Sequence, residues 1–294
     1  MTIDAGDNPG QAARAEGRPR RRRRRVASVL PTLLTLGNVI CGFAAIHYAA
    51  KEIGDTAFGY STLSFAGGLI FLGMFFDAID GTVARLTRST SNLGAQLDSL
   101  ADVITFGVAP AFMTLRLVSH YYGPTGGHEI LGPADQPYAK LLWAIAAFYV
   151  CCTALRLARF NAEVRSDKAE DHLYFKGLPS PGAGGTVASL IVLHQYLLYR
   201  HAGIEEGPAF ARAAALGIPI VTAIVAFAMV SNIRYSHFVN KILRSRRTFP
   251  GLIRVVLPVL VAIWWPRETL AAGFVLYALS GPVMALIRPA RTPA

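Results

Sequence analysis

The chain has 294 residues, 53% of them hydrophobic and only 16% charged, whereas a soluble domain carries roughly a quarter charged residues. Its formal net charge of +11 raises nucleic acid as a partner, but no basic module interleaved with aromatics accompanies that charge. The composition excludes an ordinary soluble domain and describes a polytopic membrane protein.

In chain order, residues 1–27 come first, a basic tail holding Arg14, Arg18 and Arg20 to Arg25. With so few apolar residues it is expected to be disordered. A basic run directly before an apolar one acts as an orientation signal and is drawn to anionic lipid. Membrane lipids are therefore expected partners and nucleic acid is not. The first apolar run is too long for a cleaved signal peptide and lacks a small-residue cleavage site.

A helix needs about 20 apolar residues to cross the hydrocarbon core. About eight runs qualify, centred in Val29–Ala49, Tyr60–Phe76, Leu100–Tyr121, Ala139–Leu157, Ala183–Tyr199, Phe210–Val230, Leu252–Trp265 and Thr269–Leu286. The seventh is short, so a count of seven also fits. With the N-terminus inside and the spans alternating, 23 of the 29 Lys and Arg fall on the inside, as cytoplasmic loops require. The outside set is Lys51, Arg116, Lys140, Arg200, Arg212 and Arg267. The expected fold is an all-α, multi-pass helical bundle with the N-terminus inside and, for eight spans, the C-terminus inside as well. Cys41, Cys151 and Cys152 all fall within spans, where cysteine serves as a small apolar side chain. No Cys/His set has zinc spacing, and His194 and His201 read as single interfacial histidines.

Between the second and third spans runs "DAIDGTVARLTRSTSNLGAQLDSLAD", Asp77 to Asp102. Asp77 and Asp80 are i,i+3 and share a helix face, as do Asp98 and Asp102 at i,i+4. Gly81, Ser89, Thr90, Ser91, Asn92 and Gly94 supply turn chemistry that folds the chain back. Two faces then meet, each presenting two carboxylates. Four like charges so close repel and call for a cation between them. Hard divalent ions suit such oxygens, and four carboxylates are enough for a paired-metal site of the kind used in phosphoryl displacement. Gly81 leaves room for a ligand, and Arg85 and Arg88 suit phosphate.

Solvated loop charges would explain two acids but not four at helical spacing in apolar surroundings. A cation transporter is the rival from another class, because intramembrane acids mark ion pathways. It explains the acids but not the glycine and arginine between them. The residues alone favour a metal-dependent phosphate site at a membrane face without naming a reaction.

The segment also fits D-x2-D-G-x2-A-R-x8-G-x3-D-x3-D through Asp77, Asp80, Gly81, Ala84, Arg85, Gly94, Asp98 and Asp102. This resembles the signature of the CDP-alcohol phosphatidyltransferases, integral membrane enzymes that displace CMP from a CDP-linked lipid by an alcohol hydroxyl. Within that family, "DSLADVITFGVAPA" resembles the membrane-embedded bacterial phosphatidylserine synthases, as do "LPTLLTLGNVICGFAAI", "ALRLARFN", "GLPSP" and "SNIRY". One departure is Thr32, where relatives often carry Asn after the proline.

The resemblance implies a six-helix catalytic core over residues 28–240, with residues 241–294 an added hairpin and short tail. It implies two divalent ions, Mg²⁺ or Mn²⁺, the first on Asp77, Asp80 and Asp98 and the second on Asp77, Asp98 and Asp102. Asp102 would also take the proton of the attacking hydroxyl. Gly81, Ala84, Arg85 and Ser91 would contact the CDP-lipid, Gly94 would permit close helix approach, and Thr35 and Asn38 would line the same pocket. Arg156 and Arg159 would meet the serine carboxylate or a lipid phosphate, or serve only to orient the chain. The implied reaction converts CDP-diacylglycerol and L-serine to phosphatidylserine and CMP at the cytoplasmic face of a prokaryotic cell membrane, in a homodimer. The same chemistry with inositol phosphate, glycerol phosphate or a choline-type alcohol is the nearest alternative.

Overall fold

The computed structural model describes residues 30–52, 55–87, 92–123, 132, 136–165, 174–200, 207–236, 258 and 260–287. The basic tail, Ser91 and residues 252–257 of the short seventh run lie outside them. The long helices are α1 (Leu30–Ala49), α2 (Thr62–Thr87), α3 (Asn92–Asp102), α4 (Ala109–Tyr122), α5 (Pro137–Arg165), α6 (Ser180–Arg200), α7 (Gly207–Val230) and α8 (Pro266–Ile287). A π-helical segment, Val103–Val108, joins α3 to α4, so the two form one continuous span from Leu93 to Tyr122.

Among the described residues, six helices are long and apolar enough to cross a membrane: α1, α2, the α3–α4 span, α5, α7 and α8. Their outward faces carry exposed Ile40, Phe43, Phe75, Ile220, Phe227 and Leu276, side chains that suit contact with lipid. This is a multi-pass membrane protein. Helix α6 is equally long but built from small residues, "SPGAGGTVAS" at its start, and Ala183, Val187, Ala188 and Ile191 on it are buried. Its composition marks a helix surrounded by other helices, where small residues let neighbours approach. A Cβ on Gly184 would stand 3.0 Å from the Cα of Phe106 in the π segment. The expected span at Ala183–Tyr199 is this central helix.

Two small sheets cap opposite ends. On one side β1 (Thr56–Ala57) and β2 (Tyr60–Ser61) form a hairpin before α2. Its central Phe58 and Gly59 both have positive φ, 53° and 80°, the mirror-image turn that matches strand twist. At the other end β3 (Tyr174–Lys176) pairs antiparallel with β4 (Arg234–Ser236). This ladder ties the α5–α6 connection to the chain leaving α7, at the end where α2 finishes and α3 begins. Gly177 follows β3 with φ 81°, and its amide donates to the carbonyl of Ile233 at 2.8 Å. A Cβ there would stand 2.2 Å from the Met229 carbonyl oxygen, so only glycine fits. That turn sets where α6 starts.

Helix α8 runs antiparallel to α6. Arg267 near its start lies over the Tyr196 ring, 4.3 Å from the centroid, and Gly281 near its end packs on Tyr235 of β4. Of the preceding run only its last part is described, with Leu260–Trp264 helical and Ile263 and Trp264 exposed.

Candidate active site

The four acids sit within helices rather than in a loop, because α2 extends to Thr87 and the third span begins at Leu93. Asp77, Asp98 and Asp102 each offer a carboxylate oxygen, and these oxygens lie within 4.8 Å of one another. Asp77 and Asp98 are half-buried, Asp102 is buried, and Oδ1 of Asp98 is buried without a hydrogen-bond partner among the described residues. Three converging hard oxygens with an unsatisfied lone-pair donor fit a divalent cation.

Asp80 stands slightly apart. It is buried, accepts a 2.8 Å hydrogen bond from Thr35 Oγ1 and a second from the backbone N–H of Gly81. Electrostatic interactions link it to Asp77, Asp98 and Asp102. The Thr35 hydroxyl also lies 3.0 Å from the Pro31 carbonyl oxygen, and the shorter contact to the carboxylate is the stronger use of its one proton.

Helix α1 thus touches the acids directly. Asn38, fully buried, donates through Nδ2 to Asp102 Oδ1 at 3.3 Å, and Thr105 Oγ1 donates to the Asn38 carbonyl oxygen at 2.9 Å. The approach depends on two glycines. A Cβ on Gly42 would lie 2.4 Å from Thr105 Oγ1, and one on Gly73 would lie 2.7 Å from Thr105 Cγ2 and 2.8 Å from Asn38 Oδ1. The sequence places Thr35 and Asn38 in the CDP-lipid pocket; the structure makes them hydrogen-bond donors to the carboxylates. Thr105 fastens the arrangement. It lies three residues after Asp102, inside the quoted segment "DSLADVITFGVAPA", which does not itself say what the hydroxyl binds.

Gly81 follows Asp80, and a Cβ there would meet nothing within 4 Å. Open space on the acid face of α2 is what a bound ligand would need. Ala84 and Arg85 lie one turn further along α2, and Gly94 lies on α3 one turn before Asp98. The Ala84 and Arg85 side chains, like Ser91, fall outside the described residues.

Helix α5 brings Arg156 to the acids, where it interacts electrostatically with Asp102. Its Nη1 donates to Ser180 Oγ at 3.3 Å. Arg159 points away, binding Glu163 at 3.0 Å and Asn232 Oδ1 at 3.0 Å on the surface. Next to Asp98 on α3, Ser99 Oγ accepts from Asn161 Nδ2 at 2.8 Å, which clips α5 to α3. The structure therefore separates the two arginines that the sequence groups together.

Comparison with known proteins adds the lineage. Residues 28–230 match the family model described as CDP-alcohol phosphatidyltransferase. A CDP-diacylglycerol–serine O-phosphatidyltransferase of Helicobacter pylori is 30% identical over 253 residues, 86% of this chain and 89% of the relative. A protein of the same name from Bacillus subtilis is 30% identical over 209 residues, 71% of this chain and 90% of the relative. One from Mycobacterium tuberculosis is 31% identical over 180 residues, 60% of this chain and 54% of the relative. The acids that converge in space are the acids of the matched segment, and the chain belongs to the CDP-alcohol phosphatidyltransferase family.

Proposed function

We propose that the protein transfers the phosphatidyl group of CDP-diacylglycerol to the hydroxyl of L-serine, releasing CMP. The observation that carries this reading is the convergence of Asp77, Asp98 and Asp102 on one point within a chain whose near full-length relatives bear that activity in their names.

Asp77, Asp80, Asp98 and Asp102 would hold two divalent ions, Mg²⁺ or Mn²⁺. When bound, the ions would withdraw charge from the diphosphate and from the attacking and leaving oxygens. The protein's own groups do the rest. Asp102 takes the serine hydroxyl proton as the serine oxygen bonds to the lipid-linked phosphorus, and the bond from that phosphorus to the CMP oxygen breaks. Asn38 holds one Asp102 oxygen and fixes the carboxylate's orientation. The open face at Gly81 admits the diphosphate, with Arg85 and Ser91 as further contacts. Arg156 supplies a cation beside the acceptor. Holding reactants in line removes much of the entropic part of the barrier.

The site would face the cytoplasm of a prokaryotic cell membrane, so diacyl tails stay in the bilayer while serine and CMP exchange with water. The cation balance of the loops supports that orientation, and a homodimer is the assembly this reading adopts. The test is CMP release by purified protein given CDP-diacylglycerol and one acceptor at a time. Release with serine supports the reading. Release only with glycerol phosphate, inositol phosphate or a choline-type alcohol replaces the acceptor, and none with any acceptor favours a transporter.

A further inference from the structure

Among the described residues, the contacts of Arg156 leave donor capacity unused. Nη1 reaches Ser180 Oγ, but Nε is buried with no hydrogen-bond partner among the described residues. Electrostatic interactions tie the guanidinium to Asp102 and to Tyr277. Tyr277 belongs to α8, beyond residue 230 where the family match ends.

Its position is set by a missing side chain. A Cβ on Gly182, two residues after Ser180, would lie 2.8 Å from Tyr277 Cε1, so the ring rests against the start of α6. Phe274 uses Gly185 in the same way, with Cε1 2.2 Å from the place of a Cβ. From β4, Tyr235 Oη donates to the Ala278 carbonyl oxygen at 3.1 Å. One turn of α8, from Phe274 to Ala278, is thus docked on α6 and β4, and Tyr277 is held where it interacts with Arg156.

A buried donor without a partner is costly and marks a place where an acceptor belongs. A guanidinium pairs best with the parallel oxygens of a carboxylate or phosphate. We propose that α8 completes the acceptor pocket, Arg156 and the Tyr277 hydroxyl together binding the anionic group of the acceptor. With serine, whose use rests on the reading above, that group is the carboxylate, and the hydroxyl is left directed at Asp102. The pocket selects acceptors by charge: an alcohol without an anionic group leaves Arg156 unpaired, and sites built for a polar partner reject molecules that lack it.

The experiment uses the full chain in lipid–detergent micelles and measures CMP release with serine and with serinol, which replaces the carboxylate by a hydroxymethyl group. Tyr277→Phe keeps the ring packing on Gly182 and removes only the hydroxyl. Gly182→Ala displaces the ring and removes no donor. Each is expected to raise the serine KM about tenfold, the loss of one charged hydrogen bond, with the CDP-diacylglycerol KM unchanged. Serinol, a poor acceptor, should be no poorer in Tyr277→Phe. An unchanged serine KM in Tyr277→Phe, an equal loss with serinol, or a shift in the CDP-diacylglycerol KM alone would overturn the proposal. If the wild type uses a phosphate-bearing acceptor instead of serine, the serine reading fails, and the pocket stands only if Tyr277→Phe raises that acceptor's KM. If the productive acceptor is uncharged, both fail.

Discussion

Asn38 on the first helix donates its side-chain N–H to Asp102 Oδ1, 64 positions away and 3.3 Å distant. The bond leaves Asp102 one oxygen for other work and prevents the carboxylate from turning. A hydrogen bond to a charged group is worth about 1.5–3 kcal/mol, so Asn38→Ala should lower kcat by about 10–100-fold at saturating substrates and metal. Wild-type turnover in that variant would remove Asn38 from the mechanism.

Asp102→Asn keeps the shape and an oxygen but loses the basicity. A positioned general base contributes about 10²–10⁴-fold, and turnover should fall by about that factor. CDP-lipid binding should survive this change better than it survives Asp77→Ala, which strips an oxygen from the three-carboxylate cluster. Saturating metal keeps lost occupancy from imitating lost catalysis. If Asp102→Asn turned over normally, the proton would have to leave by another group.

Activity should vanish with EDTA and return with Mg²⁺ or Mn²⁺. The number of ions is a separate question, because three carboxylates converge while Asp80 is engaged by Thr35. Mn²⁺ binding followed by electron paramagnetic resonance should show two ions per chain in the presence of CDP-diacylglycerol. One ion under all conditions would confine the site to Asp77, Asp98 and Asp102 and leave Asp80 as a neighbour.

Two glycines should respond in opposite ways. Gly177→Ala forces a side chain into a positive-φ turn and against the Met229 carbonyl oxygen, a strain of about 1–3 kcal/mol or more. The detergent-solubilised protein should lose thermal stability and activity together. Gly81→Ala meets open space, so it should melt like wild type yet raise the KM for CDP-diacylglycerol. An unchanged KM there would mean that the ligand does not use that face.

The hairpin turn at Phe58 and the start of α3 at Leu93 lie at opposite ends of α2, and both side chains are exposed. In intact cells carrying a Cys151→Ser background, Phe58→Cys should react with a membrane-impermeant thiol reagent and Leu93→Cys should not. The reverse labelling would invert the topology and put the acid site outside.

Much of this is legible in the sequence, and for physical reasons. Long apolar runs reveal spans because a run of about 20 apolar residues crosses hydrocarbon with every backbone group satisfied by forming a helix. The acids were legible because charge is scarce in such a chain and helical spacing assigns it to faces. Contacts that depend on two helices meeting were not. Thr105 and Gly42 lie inside segments that resemble the family, but only the convergence of α1, α2 and the π segment shows what they and Gly73 make room for or bind. Tyr277 was hidden for a different reason, since it lies in a terminal helix that the signature does not reach and that reads as an appended hairpin. Arg156 and Arg159 are neighbours in sequence, yet α5 sends one inward to Ser180 and the other outward to Asn232.

The π-helical turn between Asp102 and Ala109 gives the third span two independent azimuths. Its wider turn takes up an extra residue, and each residue of an α-helix advances the face by about 100°. The upper half can therefore seat Met113 and Leu117 in the core while the lower half aims its carboxylates on a different bearing. Tyr149 locks the joint by donating to the Phe106 carbonyl oxygen at 2.9 Å. Deleting one residue from Val103–Val108 would restore an unbroken α-helix and swing both acids by about 100°, disarming the site in a span that still crosses the membrane.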